Sequence, residues 1–107
     1  MKNLLLVLGL SFISLNAAAG EIAKDAIITK LGNSSDGSAD FYIRITGGTG
    51  VCANSLIKFP ESKQASEASN NQAFSLALTA MTTGKKIRLA NFQDNNCHGA
   101  NFIEMIN

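Results

Sequence analysis

The chain has 107 residues, with nine lysines and arginines, eight aspartates and glutamates, one proline and two cysteines. This length accommodates one small domain, and the near balance of charge gives no strong field for attracting nucleic acid or anionic lipid. There is no run of like charges, which argues against a charged interaction tail.

The first element is a segment typical of a secretory signal. Lys2 provides a positive charge, an apolar run of about a dozen residues follows, and small side chains stand at Ala17 and Ala19. The run is shorter than the roughly 20 residues of a membrane-spanning helix. We expect cleavage between Ala19 and Gly20, and an exported domain, 20–107, without a membrane span. The alternative is a retained anchor or a core helix.

Three strands are predicted in the first half of this domain. The first covers 26–29 within an apolar stretch, and the third covers 55–59, where Pro60 ends it. The second, 40–46, alternates between apolar and polar residues, which is typical of a strand with one buried face. A glycine-rich turn at 47–50 ends this second strand.

A change of period predicts a helix over 72–83. Its apolar stripe consists of Phe74, Ala77, Leu78 and Met81. Asn70 or Asn71 suits the N-cap, and Gly84 suits the left-handed residue that follows a helix. An earlier start, within 62–72, stays open.

Two further strands, 86–92 and 102–106, complete the domain. Five strands with a helix between the third and the fourth follow the plan of the OB-fold barrel. An open sheet covered by one helix has the same order. Because closure removes exposed strand edges, we predict a mainly β, OB-fold-like barrel with one covering helix.

Cys52 and Cys97 are predicted to form a disulfide, since an even pair in an exported chain lies in an oxidising compartment. Closing such a long loop stabilises a domain by roughly 4 kcal/mol, and small domains are marginal without such help. Free thiols or metal ligation are the alternatives. With His98 as the only imidazole, a metal ligand set is incomplete, and we predict no metal or other cofactor.

The passage from the helix into the fourth strand, residues 74–89 (FSLALTAMTTGKKIRL), resembles the binding subunit of subtilase cytotoxin and its relatives. It is also similar to small uncharacterised secreted proteins of proteobacteria, in which a similar helix, GKK turn and cysteine loop recur. The toxin subunits are exported bacterial OB-folds that form rings of five and bind sialylated glycans. The resemblance thus implies a homopentamer and a glycan ligand, although the family's sugar-contacting residues are not matched here.

No arrangement typical of catalysis occurs. His98 beside Cys97 is a nucleophile and base pair only if the thiol is free, and the turn 47–50 lacks the Lys-Ser/Thr ending of a phosphate loop. Asp94 alone is a weak calcium ligand. Four further carboxylates, Asp36, Asp40, Glu61 and Glu104, are dispersed in the sequence. We therefore expect no enzyme, with a glycosidase pair among these carboxylates as the minor alternative.

The outward face of the second strand is the best candidate for a binding site. Tyr42 and Arg44 lie on this face, and Lys58 is expected beside them on the third strand. OB-folds use this surface for oligosaccharides and oligonucleotides, and the neutral charge favours sugar over nucleic acid. An ordinary solvated face or a subunit interface is the alternative.

The sequence therefore predicts a secreted or periplasmic bacterial binding module that is not an enzyme and that resembles a toxin binding subunit. A periplasmic structural or inhibitor-like protein that docks onto a protein partner is the second hypothesis. These two hypotheses differ in whether sugar or protein is bound.

Overall fold

The structure is a computed structural model that describes residues 20–35 and 38–107. Its elements are five strands, one helix and a 3-10 turn at Glu61–Lys63. In chain order they are β1 (Glu21–Asn33), β2 (Phe41–Thr46), β3 (Leu56–Phe59), α1 (Glu67–Thr83), β4 (Lys86–Ala90) and β5 (Phe102–Ile106). The predicted signal and Asp36 lie outside the described residues.

Strand β2 has the predicted alternation. Phe41, Ile43 and Ile45 are buried, while Tyr42 and the other intervening residues are exposed. The buried rings of Phe41 and Phe59 stack at 4.6 Å between centroids, and Phe74 from α1 meets Phe41 edge-on at 5.3 Å. The aromatic side chains thus join the helix to the β2–β3 end of the sheet.

The first strand is much longer than the predicted 26–29, because β1 pairs with two neighbours. Its second half pairs with β2 and its first half with β4, giving the antiparallel order β3-β2-β1-β4-β5. Register shifts interrupt both ladders, and Asp25 takes a left-handed φ of 60° at one of them. Such bulges bend a strand, so β1 curves the sheet around the core.

The fold is mainly β, with the predicted order of five strands and one helix, but the sheet is not closed into a barrel. Strand β3 ends at Phe59 after four residues and does not pair with β5 in the described chain. The segment before β5 takes its outer edge instead. Lys58 N–H donates to the Cys97 carbonyl at 3.1 Å, and Ala100 N–H donates to the Lys58 carbonyl at 3.0 Å.

Helix α1 begins at Glu67, five residues before the predicted start. The N-cap is Ser66, whose side chain accepts a hydrogen bond from the Ser69 amide at 3.1 Å, so the expected caps Asn70 and Asn71 are wrong. The helix ends as predicted at Gly84, which has a φ of 70°. Among the described residues, no helix has the length and apolar character needed to cross a membrane.

The buried face of α1 is made mostly of small residues. It consists of Asn70, Ala73, Ala77 and Ala80. Of the predicted stripe, Ala77 is fully buried, Phe74 and Met81 pack partly buried against the core, and Leu78 is exposed. Larger side chains at the alanine positions would hold the helix further from the sheet, and this close approach is why the apolar period alone misjudged the face.

The predicted disulfide is confirmed: Cys52 and Cys97 are bonded across 45 residues, with a Cα–Cα distance of 5.7 Å. The glycine-rich turn delivers Cys52 to this position. Lys24 and Thr49 exchange two backbone hydrogen bonds at 2.9 and 3.0 Å, and the Cys52 amide donates to the Ile22 carbonyl at 2.9 Å. The turn therefore docks against the first half of β1 and is no phosphate cradle.

Glycine is required at Gly48 for a reason that Gly47 does not share. Both have left-handed φ values, 79° and 75°, but a Cβ on Gly48 would overlap the Lys24 carbonyl oxygen, whereas nothing lies within 4 Å of one on Gly47. We expect Gly47→Ala to lower the free energy of unfolding by about 1–2 kcal/mol. Gly48→Ala should cost about 1–3 kcal/mol more through overpacking. Urea denaturation of both oxidised variants measures the difference, and equal losses would contradict this docking.

Candidate functional site

An open groove of about 530 Å³ lies over the exposed face of β2 and β3. We call it the β2–β3 groove. Its floor includes Tyr42 and Lys58, and one wall is formed by the end of β1 and the loop that follows, with Asn33, Ser34 and Ser35. Asp40, Leu56, Pro60 and His98 complete the rim together with Phe41. The groove is thus lined by residues from both ends of the β1–β2 loop and from the loop before β5.

Two of the three predicted binding residues lie in this groove. Tyr42 and Lys58 are direct cross-strand partners. Because the Lys58 N–H and C=O both bond to the segment on its other side, this is a non-hydrogen-bonded pair, the kind whose side chains stand closest. Arg44 is exposed on the same face, two residues from Tyr42, but it does not line the groove.

The ring of Tyr42 is positioned by the glycine opposite it on β1. Gly32 pairs with Tyr42, and a Cβ on Gly32 would stand 2.5 Å from both Cζ and the hydroxyl oxygen of the tyrosine. The ring therefore lies across the bare backbone of β1, with 37% of the residue exposed. The exposed part of the ring lines the groove as a flat aromatic surface.

The loop after β1 is held by Asp40. Its carbonyl accepts the Ser34 amide at 3.0 Å, and its carboxylate accepts the Glu61 amide at 2.7 Å. Asp40 also donates its own amide to the Ser38 hydroxyl at 3.2 Å. This carboxylate, which the sequence left as one of several dispersed acids, joins the two sides of the groove.

The loop before β5 is organised by a buried amide that the sequence analysis missed. Asn91 donates to the Asp94 carboxylate at 2.7 Å and to the Asn96 carbonyl at 3.0 Å, and its own oxygen accepts the amides of Gln93 and Asp94. The Asp94 carboxylate also accepts the Asn96 amide at 2.8 Å. Asp94 therefore holds a turn, and the described residues contain no cluster of three metal-ligating acids, cysteines or histidines.

This ordered loop sets His98 at the groove, where the sequence predicted only a solvated loop residue. The His98 amide donates to the Asn96 side chain at 2.9 Å, and the imidazole is exposed. Its neighbour Cys97 is bonded to Cys52, so the pair contains no free thiol for nucleophilic chemistry. To place His98 at the groove from the sequence, one would have to recognise that Asn91, Asp94 and Asn96 hydrogen-bond to one another and order this loop.

Asp40 is the acidic side chain of the described groove lining, and the two other described candidates, Glu61 and Glu104, are absent from it. Glu104 accepts a hydrogen bond from Arg88 at 3.0 Å, and Glu21 lies 3.5 Å from the same guanidinium. The described lining therefore holds no carboxylate pair of the glycosidase kind.

A second exposed surface surrounds this arginine. The Arg88 guanidinium stands 5.3 Å from the Phe102 ring centroid, and Phe92 meets Phe102 edge-on at 5.6 Å. Phe92 is 64% exposed. The hydrogen bond to Glu104 raises the pKa of Arg88 above its ordinary value, so the guanidinium stays charged against the ring. We call these three residues the Phe92 patch.

Gly32→Ala is expected to displace the Tyr42 ring with little loss of stability. The added methyl group needs the space that the end of the ring occupies. Because this is the far end of a partly exposed side chain, which can move aside, the free energy of unfolding should change by less than about 1 kcal/mol. Tyr42 is the only tyrosine and the chain has no tryptophan, so acrylamide quenching of the intrinsic emission reports on this ring alone. Quenching should rise in Gly32→Ala and stay unchanged in Lys30→Ala, whereas equal quenching in both would contradict the contact.

Comparison with curated proteins and with solved structures found no match for this chain. A family match extends over residues 2–107, and therefore includes both the groove and the predicted signal. The family carries no functional description beyond its designation. The chain belongs to DUF5992, a family of unknown function.

Proposed function

We propose that this protein is an exported binding module, without catalytic activity, that holds a carbohydrate in the β2–β3 groove. The observation that carries the proposal is the pairing of Tyr42 with Lys58 on the floor of a groove that has a polar wall at residues 33–35. An aromatic surface accepts the apolar face of a sugar ring, while the ammonium and the surrounding hydroxyl and amide groups match sugar hydroxyls. The disulfide is compatible with a location outside the cytoplasm.

The position of the groove also supports this function. The face of strands 2 and 3, between the loops that follow strands 1 and 4, is where OB-folds bind oligosaccharides and oligonucleotides. Nucleic acid binding depends on neutralising many phosphates with cations. Lys58 is the lysine of the groove lining, and Asp40 opposes its charge. Sugar is therefore the better fit of the two.

The groove residues provide the test. On a glycan array, the oxidised protein should bind a defined set of sugars, and calorimetric titration then gives the affinity of wild type and of each variant, including Tyr42→Ala, which has no tyrosine emission. Tyr42→Ala and Lys58→Ala should weaken binding at least about tenfold, the range of a lost anchor contact. Arg44→Ala should have a smaller effect because Arg44 lies outside the groove. Lys86→Ala, at another exposed lysine, is the charge-matched control.

Two results would contradict this function. One is an array on which the folded, oxidised protein binds no glycan, and the other is equal affinity in Lys58→Ala and Lys86→Ala. The ring of five implied by the resemblance remains a separate prediction, which the solution mass of the oxidised protein tests.

The Phe92 patch favours a second function, docking onto a protein partner. Exposed phenylalanine beside arginine is characteristic of the centres of protein interfaces. If this function holds, Phe92→Ala should abolish capture of a partner from a cell-envelope extract, while Tyr42→Ala should not. Equal capture by wild type and Phe92→Ala, in the presence and absence of sugar, would exclude docking through this patch.

A further inference from the structure

Asn70 is a polar side chain in the buried face of the helix. It is fully buried, in a row otherwise made of alanines. Its side-chain NH₂ donates to the Ala39 carbonyl at 2.6 Å and to the Phe59 carbonyl at 3.2 Å. Both acceptors are carbonyl oxygens, so the orientation of the amide is fixed by its partners.

These two carbonyls belong to the residues just before the groove lining. Ala39 precedes Asp40, and Phe59 precedes Pro60. The Asp40 carboxylate in turn accepts the Glu61 amide at 2.7 Å. Asn70 and Asp40 therefore link the same two chain segments, 39–40 and 59–61, through separate hydrogen bonds. The two contacts form a closed loop of bonds around one end of the groove.

The oxygen of the same side chain has no hydrogen-bond partner among the described residues. Burying such an acceptor opposes folding, and the alanines around it show what this helix face otherwise uses. A side chain kept at such a cost needs a compensating role. The two donated bonds supply one, because they set the distance between the loop that ends at Ala39 and the strand that ends at Phe59.

We propose that Asn70 is a positioning residue for the β2–β3 groove, through which helix α1 fixes the spacing of the two groove walls. The inference rests on the proposed function for its effect on ligand affinity. Its effect on the walls themselves is independent of any ligand. Among the described residues of α1, the other side-chain hydrogen bonds stay within the helix and reach neither wall.

The test compares Asn70→Ala with Ala77→Gly in the full oxidised chain. Ala77 is fully buried on the same helix face, and glycine there destabilises the helix, so it reproduces a loss of stability without touching the walls. The first readout is hydrogen exchange at the Ser34 and Glu61 amides, which both donate to Asp40. The second is the affinity for the best sugar on the array, from Tyr42 emission. Asn70→Ser, which keeps a hydroxyl donor, is the milder variant if Asn70→Ala does not fold.

The quantity compared is the exchange rate of the Ser34 and Glu61 amides divided by that of the slowest amides in the same variant. We expect this ratio to rise at least tenfold in Asn70→Ala and to keep its wild-type value in Ala77→Gly. Sugar affinity should fall at least tenfold in the first variant only, with Asn70→Ser intermediate in both readouts. Equal exchange ratios in Asn70→Ala and Ala77→Gly would overturn the inference. If the ratios differ but wild type binds no glycan, the positioning role stands and the proposed function fails.

Discussion

The bond between Cys52 and Cys97 is the constraint on which the rest of this small fold depends. Because the sheet does not close, its edge strands β3 and β5 are not paired with each other and need another connection. Cys52 lies just before β3 and Cys97 lies just before β5, so the disulfide ties together the chain segments that lead into both edges. Its loop closure contributes roughly 4 kcal/mol, a large fraction of the stability of a domain this size.

The same constraint shapes the groove. With Cys97 fixed, the backbone from Cys97 to Ala100 hydrogen-bonds along the outer edge of Lys58. The register of β2 and β3 makes Tyr42 and Lys58 a non-hydrogen-bonded pair, so the Lys58 N–H and C=O point outward and bond to this segment. The same segment places His98 at the rim. The disulfide, which connects the two edges in place of barrel closure, thus also positions the segment that forms one wall of the candidate binding site. Fold and site share this wall, so a variant near Cys97 will affect both.

The parts that could be predicted from the sequence are those set by local pattern. Alternation in β2 indicated that Tyr42 faces outward, with Lys58 beside it on β3. The predicted export indicated the disulfide. The helix start at Glu67 was left open, since several polar residues could cap it and only the structure identifies Ser66. The length of β1 and the open sheet depend on contacts between distant residues. His98 and Asn70 were missed for the same reason, because a histidine in a polar loop and an asparagine in a helix have no local pattern that indicates their partners.

The small residues of α1 link the helix to the site. Ala73, Ala77 and Ala80 let the helix backbone approach the sheet closely, and only at that distance can the short side chain of Asn70 reach two carbonyls at once. A longer amide at this position would not fit the same space, and a larger residue in place of the alanines would carry Asn70 away from its partners. The composition of this face is therefore set by two requirements, packing against the core and the reach of one amide. An amphipathic pattern describes the first requirement alone, which is why the apolar stripe of this helix did not indicate the two hydrogen bonds of Asn70.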